Sequence, residues 1–427
     1  MMGLIQALNM LGDWLSVRLS RRLLVNTFAA AESSFKRRVR RVLSGRVTRM
    51  NLRLYLASVS ALFVIALVGL PTAAVREQKE EDTMQTRGKQ EADATGVAAA
   101  SRKSGVPSKE LEGYRWKPMW ISHIGSLKAA ADYLGVNVST PWLFGVTGYA
   151  FLLNIHETLC PSGWHVVDIP LDDGARNAGL VIEHLVDPSH VTEPKAELQQ
   201  RAWDGARKAI NAGKPCYGYD FEAGDYYAVY GYDNIGYYYS GVLCDQGKGP
   251  MPWKDYGTKG QVGIIYINSV AKGQPAHDAK TVCDALLAAL KESKKVEGAS
   301  DLYACGLAGY DQWTRSIETG KADGYGMAYN AQCYAECRRN AVEFLKEAKG
   351  RVDAKLAPLF DEAIGYYSTV AQNLQKVADT FPFFERKPEH IQDQARKTTA
   401  VEALKAAKAA EIQDLNTLAK ITKALGA

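Results

Sequence analysis

The chain lacks the short signatures of the commonest enzyme classes. It has no Gly-x-x-x-x-Gly-Lys-Ser/Thr phosphate loop, no Gly-x-Gly-x-x-Gly dinucleotide turn and no metalloprotease His-Glu-x-x-His pair. P-loop, dinucleotide and zincin chemistry therefore have no footing, and neither a cofactor nor a metal is expected. Its seven cysteines (160, 216, 244, 283, 305, 333 and 337) contain no Cys-x-x-Cys and no regular framework. Cys333 and Cys337 lie one helical turn apart, an awkward geometry for a bridge, although Cys305 could reach either across a bundle. Most of these thiols read as small buried hydrophobes. No fixed-period repeat is present, which excludes a solenoid.

A broad basic surface is also missing. The 427 residues carry a net charge of +5, but residues 1–53 hold eleven Lys and Arg against Asp13 and Glu32. The remainder is mildly acidic, so nucleic acid is not an expected partner. What the first quarter does contain is a single charge-free run, LYLASVSALFVIALVGLPTAAV, at 54–75. About 20 helical residues cross a hydrocarbon core of about 30 Å. The preceding KRRVRRVLSGRVTRMNLR is basic and the following REQKEED mostly acidic, which places the rest of the chain outside the cytoplasm. Read instead from Met50, the same stretch resembles a secretory signal with small residues for cleavage near Ala74. Either way the bulk of the chain is expected to be extracytoplasmic, tethered to the cell membrane or secreted. Within 1–35, apolar residues from Ile5 to Leu23 recur at helical spacing. They fit a basic amphipathic helix on the inner leaflet, or a stretch that is not translated. Residues 76–112 contain no aromatic side chain and read as a disordered linker.

At Tyr114 the composition changes. Leu127, Ala131 and Leu134 make one helical face from about Ser122, with Gly135 as a stop. A second helix is expected over 145–159 and another over about 197–211. Strand-like runs follow at 164–169, 214–221, 225–233, 236–241 and 261–270, with Asp233-Asn234-Ile235-Gly236 as a hairpin turn. Helices followed by a mostly antiparallel sheet make an α+β domain over 113–272. From 273 to 427 the spacing is helical almost throughout, as in a helical bundle.

The order of elements in 113–272 resembles the papain-like superfamily, in particular bacteriocin-processing peptidases and the N-terminal domain of the butirosin-biosynthesis acyltransferase. The residues that carry the likeness are ISHIGSLKAAADYLGVNVSTPWLFGVTGYAF, AINAGKPCYGYDF and YYAVYGYDNIGYYYSG. The resemblance implies a Cys nucleophile between Ser122 and Ser126, a His where Tyr227 stands, and an Asp or Asn near Ser240. All three differ here, so the usual thiolate chemistry has lost its nucleophile, its base and the group that orients the base.

Two other clusters merit attention. In NIHETLCPSGWH, His156 and Cys160 stand at i and i+4, about 6 Å apart if helical, and His165 follows a turn. They read as packing at a helix end, as a nucleophile–base pair of Cys160 with His156 or His165, or as a zinc site completed by Glu157 or Asp168. Nine tyrosines crowd 217–239, with Tyr217 and Tyr219 in one row and Tyr226, Tyr230 and Tyr232 in another. Such rows roof a sheet, or offer flat faces to a peptide, glycan or acyl ligand. The expectation is an exported papain-like domain that has lost its triad and binds a ligand; the alternative is a thiol-dependent hydrolase or acyltransferase centred on Cys160.

Overall fold

The computed structural model describes residues 108–161, 169–187, 193–295 and 302–426. The basic segment 1–53, the apolar run 54–75, most of the linker, His165 and Asp168 lie outside the described residues. So does the strand expected at 164–169, apart from Ile169.

The fold begins at the sheet. Alternating aromatic and small residues give β4 (Cys216–Tyr219), β5 (Tyr226–Tyr232) and β6 (Gly236–Gly241). The β5–β6 turn is closed by Asp233, whose carboxylate accepts from the amides of Ile235 and Gly236. With β1 (Lys109–Glu110), β3 (Leu180–Val186), β7 (Cys244–Pro252) and β8 (Tyr266–Lys272) they form one antiparallel sheet in the order β3-β8-β4-β5-β6-β7, with β1 beside β5. Residues 108–112 thus already belong to the folded chain.

Two helices cover the two faces of this sheet. Helix α1 (Ser122–Tyr133) lies on the face that carries Tyr217 and Tyr226. The opposite face is covered by α4 (Lys195–Asn211), which buries Leu198, Ala202, Trp203, Ala206 and Ile210 at helical spacing. Trp203 there meets the rings of Tyr232 and Tyr237 edge-on. Between α1 and α4 come α2 (Thr140–Val146), β2 (Asn154–His156) and α3 (Leu171–Asn177). The chain crosses α1 at Gly125, where a Cβ would stand 2.3 Å from the Lys117 carbonyl oxygen, so no larger residue fits.

The helix expected over 145–159 is not formed. Ser139 caps α2 and Pro141 opens it, but the helix ends at Thr147 and Gly148 follows with φ of +85°. The chain then turns into β2, which pairs antiparallel with β9 (Tyr303–Cys305). A partner some 150 residues away overrides the local helical pattern.

The rest is helical: α5 (Asp278–Ser293), α6 (Gly306–Glu318), α7 (Gly324–Arg351), α8 (Ala357–Thr380) and α9 (Gln394–Ala424). Helices α7, α8 and α9 pack side by side, and α7 also packs on α2. Gly145 of α2 permits that approach, since a Cβ there would fall 2.2 Å from the Phe344 ring of α7. The sheet and the helices share one apolar core, and the described residues belong to a single compact unit. Fully buried Arg338 on α7 donates to the carbonyls of Ala150 (2.8 Å) and Leu152 (3.0 Å) and pairs with Glu411 of α9 at 2.9 Å. Among the described residues, no helix is long and apolar enough to cross a membrane.

Candidate functional site

The start of α1 meets the sheet at the ends of β4, β5 and β8. Ser122, the first residue of the helix, donates its hydroxyl proton to Asp225 (2.8 Å) and accepts from the Tyr226 amide (3.0 Å). Burial raises the Asp225 carboxyl to about 6, against the pull of its bonds to Ser122 and Tyr329. Both functions of the Ser122 hydroxyl are therefore engaged in joining helix to strand. Ser126 is fully buried and donates to the Ser122 carbonyl one turn back.

The other two positions implied by the family resemblance do not face Ser122 as a triad would. Tyr227 projects from the opposite face of β5, where its ring meets Phe221 and Tyr239 and its hydroxyl accepts from the Ala223 amide. Strand alternation requires this, because the neighbouring Tyr226 faces α1. Ser240 accepts from the Trp116 amide at 2.8 Å and so ties down the segment that crosses α1.

The residue at the junction is His123. Its ring stacks on Tyr226 with centroids 3.8 Å apart and planes within 9°. Nδ1 is 3.0 Å from the Tyr149 hydroxyl and Nε2 is 3.2 Å from the Tyr217 hydroxyl. Burial lowers its pKa to about 3, so the imidazole is neutral at physiological pH. A neutral ring has one donor and one acceptor nitrogen, and the two tyrosines satisfy both.

Beside this junction lies a cavity of about 690 Å³, within the range that holds a small ligand. His123, Tyr149, Tyr219, Tyr226 and Tyr266 contribute aromatic surface to it. Its charged lining comprises Asp172, Asp173, Asp187 and Glu292, with His184 and Lys291. No Ser, Thr or Cys is among the described residues that line it. His184 stands directly opposite Asn268 across the β3–β8 pair. Its Nδ1 lies 2.7 Å from Asn268 Oδ1 and its Nε2 lies 2.7 Å from Asp172 Oδ2. Two acceptor oxygens favour the imidazolium, which donates from both ring nitrogens. The bond to Asp172 accordingly raises the His184 pKa, over an opposing effect of burial.

The tyrosine rows divide differently from their spacing. Tyr219 and Tyr226 line the cavity, while Tyr217 sits fully buried behind them, bonded to His123. An irregularity in the β5–β6 register between Val229 and Gly231 breaks the alternation. Tyr230 consequently lies under Arg115 (3.6 Å), and Tyr232 lies against Trp203 on the far face.

His156 and Cys160 do not share a helix. His156 belongs to β2, where its Nδ1 is 2.8 Å from the Thr158 hydroxyl and accepts from the Thr158 amide. Burial lowers its pKa. Cys160 follows in irregular chain and is half-buried. Among the described residues, no group of three or more His, Cys, Asp or Glu is placed to hold a metal ion.

Sequence reading missed His123, Tyr149, Asp172, His184, Asp225 and Asn268. Only His123 carried a usable signal, as the residue next to the expected nucleophile position. The chain matches no protein-family model and no curated protein.

The His184–Asp172 pair fixes a pH dependence. A folded-state pKa above the usual 6.5 gives stability that is complete below that value and lost as pH rises through the folded pKa. With these groups partly exposed, His184→Gln should cost at most about 1 kcal/mol at about pH 5.5 and close to nothing at about pH 9. Urea unfolding at the two pH values measures this; an equal loss at both would contradict the assignment.

Proposed function

We propose that this chain is an exported papain-like domain, tethered to the membrane or released, whose catalytic position has been converted into a ligand-binding cleft. The observation that supports this reading is the state of the junction. Where a nucleophile and its base would face each other, a neutral His123 is stacked on Tyr226 and bonded at both nitrogens. A base must be able to take a proton from the nucleophile, and this ring has no nitrogen to spare and little basicity. The adjoining cavity offers aromatic walls and charge, and no Ser, Thr or Cys is among the described residues that line it. That combination suits holding a ligand, such as a peptide, glycan or acyl group, rather than cleaving one.

Activity probes test the loss of catalysis. A fluorophosphonate should leave Ser122 unmodified. Iodoacetamide at about pH 7 should label Cys160 no faster than an ordinary exposed thiol. Selective labelling of either residue, abolished by Ser122→Ala or Cys160→Ser, would replace the binding module with an enzyme. Export rests on residues 54–75 and their charge flanks. A reporter that is active only in the cytoplasm, fused after Ala427, should give no signal; full activity would contradict export.

A further inference from the structure

An exposed aromatic surface lies where α8 gives way to α9, in the run Phe381-Pro382-Phe383-Phe384. Phe384 sits in a turn and is 86% exposed. The rings of Trp120 (5.7 Å) and Phe383 (5.4 Å) support it. Tyr325 of α7, itself exposed, meets Phe383 at 5.5 Å and stacks with Tyr329. Single exposed apolar residues such as Leu243 are ordinary on a protein surface. A contiguous group of rings that ends in an exposed Phe marks an interaction surface.

The composition of this surface fits a bilayer. Trp and Tyr carry polar groups on flat apolar bodies and favour the headgroup level, whereas Phe has no polar group to satisfy. Here Trp120, Tyr325 and Tyr329 form the base and Phe384 the tip. Arg386 lies over the rings of Phe383 (4.6 Å) and Tyr325 (5.1 Å), and its long side chain and that of Lys387 suit lipid phosphates. Glu385 and Glu389 balance these two charges, so the attraction rests on the rings and needs no anionic lipid.

Chain length allows the contact. The run 54–75 reads as a membrane span, and residues 76–107 separate it from β1. A flexible linker of about 30 residues spans about 30 Å root-mean-square. Strand β1 pairs with the end of β5, at Gly231 and Tyr232, whereas Trp120 and Tyr329 stand beside Asp225 at its start. The length of β5, about 20 Å, is within that reach.

We propose that the Phe383–Phe384 turn, with Trp120 and Tyr325, docks on a lipid surface, Phe384 entering the outer face of the bilayer that holds residues 54–75. This rests on the tethered form of the proposed function, and adds which face of the folded chain meets the membrane. Photocross-linking of the full-length chain in phosphatidylcholine vesicles tests it. The photoreactive residue p-benzoylphenylalanine replaces Phe384 in one variant and Leu243 in another, both too exposed for folding to be at stake. Position 384 should give lipid adduct at least about fivefold more often than position 243. With the photoreactive residue at Tyr325 instead, Phe384→Asp should reduce the lipid adduct at least about fivefold. Equal adducts at 384 and 243, a protein adduct in place of lipid at 384, or no adduct there would overturn the proposal. The tether has its own readout, since alkaline carbonate should leave the chain in the vesicles. Its release would overturn the tether, whereas loss of the adduct from a chain that stays bound would overturn the docking face alone.

Discussion

Arg338 has no contact with water, and a guanidinium in that position must find its full complement of acceptors within the protein. It finds them on two separate parts of the chain. Glu411 of α9 supplies the countercharge, and the carbonyls of Ala150 and Leu152 take two further bonds. Tyr310 of α6 donates to the same Glu411. Asp414, one turn along α9, is buried with neither carboxyl oxygen bonded, and burial followed by the proximity of Glu411 raises its pKa far above the carboxylate range. The ion pair of the network is Arg338 with Glu411. Leaving either partner of such a pair alone in a protein interior costs about 3–5 kcal/mol. This constraint fixes α7 against the 148–153 segment and ties the helical half to the sheet.

Helix α7 then determines the cleft. Glu336, two residues before Arg338, accepts from the Ile121 amide just ahead of α1. Tyr329, further along the same helix, reaches Asp225, the carboxylate bonded to Ser122. The two carbonyls held by Arg338 follow directly after Tyr149, which is bonded to His123. The start of α1, the start of β5 and the tyrosine behind the imidazole are thus all referred to one helix. The requirement that buried polar groups be paired, met at Arg338 with charge, is met at His123 without it. Burial keeps that ring neutral, and two tyrosine hydroxyls complete its bonding.

Local pattern carried much of this fold and little of the site. The amphipathic spacing of α1 and α4 and the Asp233–Gly236 turn are visible in the sequence, because each is decided by residues within a few positions of one another. Strands β2 and β9 are not, since each is only three residues long and exists by pairing with the other. Strand β7, CDQGKGPMP, contains two glycines at positive φ and two prolines and has no strand signature. Tyr226 and Tyr227 show the limit most clearly. The likeness to the papain pattern selected Tyr227, but alternation on a strand admits only one of the two to the face of α1, and that is Tyr226. His184, Asp172 and Asn268 meet only after β3 and β8 have paired, and no spacing along the chain announces it.

The central claim is that no imidazole base serves Ser122 at the junction of α1 and β5, where its hydroxyl is bonded to Asp225 and His123 is engaged elsewhere. The variant Ser122→Cys tests it directly, because it puts a thiol at the one position where a base, if present, would show itself. The nearest ionisable group is Asp225, whose negative charge disfavours a thiolate, and His123 is turned to Tyr149 and Tyr217. The rate of iodoacetamide alkylation against pH gives the thiol's pKa. A value at or above the ordinary figure of about 8.5 is predicted. A value below about 7 would show that a positive charge or a base does serve this position, and would contradict the account.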